Sequence, residues 1–454
     1  MHILIIGGGI SGLACAYRLR QLGASFLLLE QGNDVGGLMR STRRDGLLLE
    51  SGPQSFLLTE AIGQMVQELG IGDQLLRADA KAPRYVVIGG VLRKVPLSPP
   101  AMISSSFLGA STKLRMLVDL LGKSTPPEND ESVAEFVRRK FGQDMLQRLV
   151  GPFVSGVYAG DPEKLSLRSA APGVYGWEAE YGSVLRGAMK SHRKDGKPAA
   201  SLCSFRDGVA TLPRRLAESL GSAVATATTV ESIVRHKANG SSNFEIHLQS
   251  RGRADLARAD AVILATPPDV TARILGEVSP RYRGLLGSIG FAAIAVVSRV
   301  YLRSSVGMPL DGFGFLVPRG ENIRVLGTIW NSSLFPGRAP EGQVLLTSFI
   351  GGATDPEILG YNDQAIESAV STDLNKLLHI SGEPLGGQLQ RWTHALPQYN
   401  IGHGEILAAT QTELAHTPGL FLAGNYFYGP SVGSCVDTAF RAAEEAHRFV
   451  AAMA

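Results

Sequence analysis

Near its start the chain reads Gly7-Gly8-Gly9-Ile10-Ser11-Gly12, directly after the apolar run Ile3-Leu4-Ile5-Ile6. Gly7, Gly9 and Gly12 make a G-x-G-x-x-G frame, whose chemistry is the holding of a pyrophosphate. The first glycine allows a tight turn, the second lets backbone approach the phosphates, and the third packs a helix on the strand with its positive end facing them. Such a site wants an acid about 20 residues further on to take a ribose hydroxyl. Glu30 closes the run Phe26-Leu27-Leu28-Leu29, 18 residues past Gly12. An ordinary glycine turn explains the triplet but not strand, helix, strand and acid in register. NAD and FAD share this frame, so it does not choose between them.

The elements that must position it are legible in the apolar periods. Residues 2–6 read as a strand, Leu13, Ala16, Tyr17 and Leu19 have helix spacing, and a second strand follows, which together form a βαβ unit. From 98 to about 190 Pro-Pro starts and helical stripes dominate, for example Phe107, Ala110, Leu114, Leu117 and Leu121. Strand-like runs return at 292–300, 314–317 and 344–350. With no repeat and no long linker, we expect an α/β and α+β chain. Its Rossmann-like cofactor domain is discontinuous (1–80, 195–289, 391–454), its sheet-based substrate domain covers 81–97 and 290–390, and a mostly helical insertion covers 98–194.

Composition bounds the partners. Charged residues are 19% of the 454, below the roughly 25% usual for soluble domains, and the 53 glycines suit close backbone approaches and a large apolar pocket. A net charge of +3 is too mild for nucleic acid and compatible with an acidic ligand or an anionic lipid surface. Cys15, Cys203 and Cys435 are far apart and odd in number, so neither a disulfide framework nor a zinc site is suggested, and a reducing, cytoplasmic setting is expected. No signal peptide is visible and no run nears the ~18 to 20 apolar residues of a spanning helix, so any membrane contact is peripheral.

Three further segments narrow the reading. Val35-Gly36-Gly37-Leu38-Met39-Arg40-Ser41 with Glu50-Ser51-Gly52-Pro53, and Gly424-Asn425-Tyr426 through Gly433-Ser434-Cys435-Val436, resemble the flavin signatures of the flavin amine oxidase superfamily. Gly151-Pro152-Phe153-Val154-Ser155-Gly156-Val157-Tyr158-Ala159-Gly160-Asp161-Pro162, Leu396-Pro397-Gln398-Tyr399 with Gly402-His403, and the same run from Gly424 to Val436 resemble the oxygen-dependent protoporphyrinogen oxidases, the last most of all the plant type. That group includes bacterial coproporphyrinogen oxidases. The chain departs from the pattern at Pro430-Ser431, where Val-Ala is usual, at Thr438, where glycine is usual, and at Leu38, where some members carry an aromatic residue.

The resemblance implies non-covalent FAD, held by Gly7, Gly8, Gly9, Ile10, Ser11, Gly12, Glu30, Gly37, Leu38, Arg40, Gly52, Pro53, Gln54, Ser55, Val230, Asn425, Ser431 and Val432. It implies a six-electron oxidation of protoporphyrinogen IX with O2 as acceptor and hydrogen peroxide as by-product. No side chain is expected to be catalytic and no metal is expected. Arg84 is expected to pair with a propionate, Gly156 to leave room for the macrocycle, and Phe313 to pack on it. Alternatives are coproporphyrinogen III oxidation, amine or polyamine oxidation, and a porphyrin-binding flavoprotein without turnover. A homodimer is compatible with the pattern. Leu114, Leu117 and Leu121 are expected to face a leaflet while Lys113 and Arg115 meet head groups.

Overall fold

The computed structural model describes residues 2–96, 98–195, 201–238 and 241–453. Strand β1 (Ile3–Ile6), helix α1 (Ile10–Gln21) and strand β2 (Phe26–Leu29) open the chain as expected. All four residues of β1 are buried, which is why it reads as an unbroken apolar run rather than an alternating one. It is the centre of a five-stranded parallel sheet completed by β3 (Val224–Ala225), β4 (Ala261–Leu264) and β5 (Leu420–Leu422), in the order β3-β2-β1-β4-β5. The order reverses between β1 and β4, and in such sheets the ligand crevice lies beyond the carboxyl ends of the strands at that point. Gly7 leaves β1 there. Helix α1 packs on this sheet beside the final helix Val432–Ala451, which also touches it, the two helices meeting through Ala14, Cys15, Ala439, Ala442 and Ala446.

A second sheet has seven strands in the order Gly386–Pro397, Phe291–Leu302, Gln343–Gly351, Val325–Trp330, Gly314–Leu316, Arg84–Ile88 and Val91–Lys94. All neighbours are antiparallel except Gly314–Leu316 with Arg84–Ile88. One face is covered by the helix Asp363–Leu378, whose Ile366, Val370 and Leu374 pack on Val87, Val297 and Leu346. The other presents Val86 and Leu316 to the helical region. The expected division at 390/391 falls inside the strand Gly386–Pro397.

The region 98–195 is helical around Met116, Phe136, Val137, Leu146, Val154 and Leu167. Within it the helix Ala110–Leu121 is turned inside out. Leu114, Leu117, Val118 and Leu121 are 50 to 74% exposed, whereas Asp119 is buried. The Asp119 carboxylate meets Lys140 Nζ at 2.6 Å and accepts from the Ser183 hydroxyl and the Leu185 N–H, both at 3.0 Å. Two details differ from the sequence reading. Phe107 precedes the helix and is buried. Lys113 and Arg115 turn back onto protein, donating to the Ser105 and Arg139 carbonyls, because backbone oxygens at neighbouring helix ends lie within their reach.

Candidate functional site

The glycine frame is fixed by backbone contacts. Gly7 has a φ of 108°, and a Cβ at Gly12 would stand 1.8 Å from the Gly7 carbonyl oxygen. Gly9 has nothing within 4 Å of a Cβ position and supplies no side-chain cap to α1. That combination leaves the first-turn N–H groups of α1 beside open space, the condition for binding an anion. Both oxygens of Glu30 already accept backbone N–H groups, from Gly8 at 2.6 Å and Gly32 at 2.7 Å. The carboxylate thus locks the turn and retains lone pairs for a further donor.

The second glycine pair lies against this turn. Gly36 N–H donates to the Gly8 carbonyl at 2.8 Å, and a Cβ at Gly37 would be 3.3 Å from Gly9 Cα. Arg40 donates to the Gly37 carbonyl at 3.0 Å and its guanidinium sits 5.5 Å over the Trp392 ring. The Leu38 carbonyl oxygen is 2.1 Å from a Cβ position on Gly52, so only glycine fits there. Beyond Gly52, Pro53 and Ser55 are half-buried and Gln54 is buried. Gln54 donates to the Gly52 carbonyl at 2.9 Å and accepts from Asn331 Nδ2 at 2.7 Å. Val230 is buried at a bulge two residues after Thr228, whose N–H donates to the Glu30 carbonyl at 2.8 Å.

The start of the final helix comes to the same place. Ser11 lies beside the Cys435 thiol, whose pKa burial pushes up to about 11, and Cys15 contacts the Ala439 carbonyl at 3.3 Å. Two helix N-termini, each partly positive, therefore abut. Ser431 caps the final helix by accepting from Ser434 N–H at 3.1 Å, beside Val432. Asn425 is held through its carbonyl by the Tyr399 hydroxyl. Thr438, the other departure, is satisfied by the Cys435 carbonyl at 3.0 Å.

Arg84 and the helix carrying Gly156 lie on one side of the seven-stranded sheet, and Phe313 precedes the strand Gly314–Leu316 that pairs with Arg84–Ile88. Arg84 opens a strand whose Val86 faces the helical region, and alternation puts Arg84 on that side too. Its guanidinium lies 5.7 Å from the centre of the Phe313 ring, and among the described residues it has no acidic partner. Gly156 sits in the helix Gly151–Tyr158, where a Cβ would come within 2.4 Å of Leu316 Cδ2. The sheet and the cradle are bolted together by Asn331 to Gln54, by Trp392 Nε1 to the Ser51 carbonyl at 2.6 Å, and by Gln388 to the Ser51 hydroxyl at 2.9 Å.

Sequence reasoning missed Leu316 and Asn331. Leu316 carried no usable signal, because strand alternation from Phe313 leads to Phe315 and Val317, which pack on the other face of the sheet. Asn331 carried no signal, because only the folded chain shows it buried beside Gln54 with an Oδ1 lacking any partner. No group of three or more His, Cys, Asp or Glu among the described residues could hold a metal ion.

Residues 10–447 match the family model for flavin-containing amine oxidoreductases. The chain is 34% identical over 480 residues to protoporphyrinogen oxidase 1, chloroplastic, of Spinacia oleracea, covering 99% of this chain and 84% of that protein. It is 30% identical over 468 residues to coproporphyrinogen III oxidase of Bacillus subtilis (strain 168), covering 98% and 97%. Among solved structures, a protein of Exiguobacterium sp. 255-15 covers 99% of both chains with a TM-score of 0.81 at 24% identity, and the cyclohexylamine oxidase of Brevibacterium oxydans IH-35A has a TM-score of 0.69 at 18%. The residues present fit FAD. The paired helix starts suit its diphosphate, and the partnerless Asn331 Oδ1 is an acceptor placed beside the expected cofactor segment.

Proposed function

The chain belongs to the flavin-containing amine oxidoreductase family, in its porphyrinogen oxidase branch, and on that premise we propose that it oxidises protoporphyrinogen IX to protoporphyrin IX in tetrapyrrole synthesis. FAD would be held by the Gly7–Gly12 turn, Glu30, the Gly37–Arg40 and Gly52–Ser55 segments, Val230, and Asn425 with Ser431 and Val432. When bound it supplies acceptance of hydride, with O2 as the terminal acceptor and hydrogen peroxide as the product. The macrocycle gives up six electrons, so three rounds are needed, and a pocket must hold it through all of them.

The observation that carries the substrate reading is the pairing of Arg84 with Phe313. A guanidinium without a protein carboxylate is a fork for a propionate, and an aromatic face beside it suits a flat ring. Gly156 and Leu316 shape the apolar wall beside it and exclude water. Two other arginines near that helix, Arg319 and Arg324, are engaged by Asp161 at 2.9 Å and Asp355 at 2.7 Å. Of these three arginines, Arg84 is the one left without a carboxylate among the described residues and so the one placed to meet a propionate.

The test is oxygen uptake and porphyrin fluorescence with each porphyrinogen. Faster turnover of coproporphyrinogen III, or turnover of amines alone, overturns the reading. Arg84→Ala is expected to raise KM about tenfold, as for a lost charge-assisted bond, with kcat little changed. An unchanged KM removes Arg84 from the pocket.

The exposed leucines of the helix Ala110–Leu121 support a further part of the proposal, that this face rests on one leaflet of a membrane. No described helix is long and apolar enough to cross one. The protein is expected to float with liposomes, and Leu117→Asp with Leu121→Asp to stay in solution. Equal flotation of both overturns it.

A further inference from the structure

The segment Leu396-Pro397-Gln398-Tyr399 with His403 has entered so far only through the Tyr399 hydroxyl at the Asn425 carbonyl, yet it touches both halves of the site. Tyr399 is fully buried and its ring stacks on His403, with centroids 4.5 Å apart and planes 7° off parallel. Its hydroxyl does two things. It donates to the Asn425 carbonyl and accepts from the Gly429 N–H at 2.9 Å. One oxygen thereby closes both ends of the loop Asn425–Gly429, and His403 Nε2 holds the middle by donating to the Tyr426 carbonyl at 2.9 Å. Gly424 and Gly429, with φ of 150° and 126°, give the loop a shape that ordinary residues resist.

The other side of the Tyr399 ring meets the substrate face. Its edge contacts Tyr158 at 5.8 Å between centroids, and Tyr158 ends the helix that carries Gly156. Gln398 donates to the Tyr158 carbonyl at 2.9 Å, and the Tyr399 carbonyl accepts from Ser166 N–H at 2.8 Å. A shift of the Gly156 helix therefore moves the ring whose hydroxyl sets the loop. Burial raises the Tyr399 hydroxyl pKa and lowers that of His403, and because the Tyr426 carbonyl can only accept, it fixes the proton on His403 Nε2.

We propose that Tyr399 and His403 are positioning residues that couple occupancy of the pocket beside Gly156 to the loop Asn425–Gly429 and, through it, to FAD. This rests on the reading of that loop as part of the cofactor site. Tyr399→Phe keeps the stacked ring and leaves the Asn425 carbonyl and Gly429 N–H without their partner. It is expected to weaken FAD binding to the apoprotein about tenfold, to change the flavin absorbance bands, and to lower kcat with the KM for protoporphyrinogen IX unchanged. In the unaltered holoprotein, added protoporphyrin IX is expected to perturb the flavin spectrum, and in Tyr399→Phe that response is expected to be lost. His403→Gln, which retains an N–H donor, should preserve more of it than His403→Leu.

Gly429→Ala separates the two claims. If it weakens FAD binding while Tyr399→Phe leaves binding, spectrum and porphyrin response intact, the coupling is wrong and the cofactor reading stands. If neither variant alters FAD binding or the spectrum, the loop is not part of the cofactor site and both fall.

Discussion

The cofactor cradle and the helical region are built on opposite principles. In the cradle, side chains are mostly absent and the backbone does the work. Gly12 stands on Gly7, Gly52 on Leu38, and Glu30 spends its carboxylate on two backbone N–H groups. In the helical region, side chains specify everything, and the usual sense of burial is reversed along the helix Ala110–Leu121, with leucines outside and a carboxylate inside. A surface that must meet a diphosphate needs fixed N–H directions. A surface that must meet an apolar partner needs a polar anchor beneath it to hold its orientation.

The comparison breaks if the cradle tolerates a methyl group. Gly12→Ala places a Cβ 1.8 Å from a backbone oxygen, which no rotamer relieves. The turn must open, and overpacking of this kind costs about 3 kcal/mol or more, so FAD affinity should fall by ~100-fold or more. Titration of the apoprotein with FAD measures it, and affinity within threefold of the original would sink the backbone account. The helical region has its own vulnerable point. Asp119→Ala removes the carboxylate facing Lys140, Ser183 and Leu185, and one-sided loss of a buried ion pair costs about 3 kcal/mol. Glu178, 3.3 Å from Lys140, offsets part of that. A fall of thermal stability with FAD affinity retained is expected, and no change in Tm would show the anchor to be idle.

This difference also decides what could be read before the fold was known. Gly7, Gly9, Gly12 and Glu30 announce themselves because a phosphate cradle tolerates only one residue type at each glycine, and the spacing survives in the linear chain. The strands 291–302, 314–316 and 343–351 were legible from their apolar runs. The inverted helix was half legible. Its stripe has helix spacing whether it faces core or solvent, and only burial separates the two. The partners of Tyr399 at Asn425 and Gly429 lie 26 and 30 residues away, and those of Gln54 at Asn331 lie 277 away. Periodicity carries no information at such separations, so these joints appear only in three dimensions.

Gly156 lies where the two principles meet, a glycine in the helical region facing a side chain rather than backbone. Its missing Cβ would approach Leu316 Cδ2 to 2.4 Å. Because the Leu316 side chain is flexible, it can turn away, and on the proposed substrate reading it turns into the space beside Arg84 and Phe313. Gly156→Ala should therefore leave FAD affinity and Tm nearly unchanged and raise the KM for protoporphyrinogen IX by about tenfold, equivalent to about 1.4 kcal/mol. Leu316→Ala in the same chain removes the obstruction and should restore KM to within about threefold of the original, since contacting residues couple. Steady-state kinetics of the two single variants and the double variant decide it. Additive effects would mean that Gly156 is needed for the path of its own backbone and not for the room it leaves.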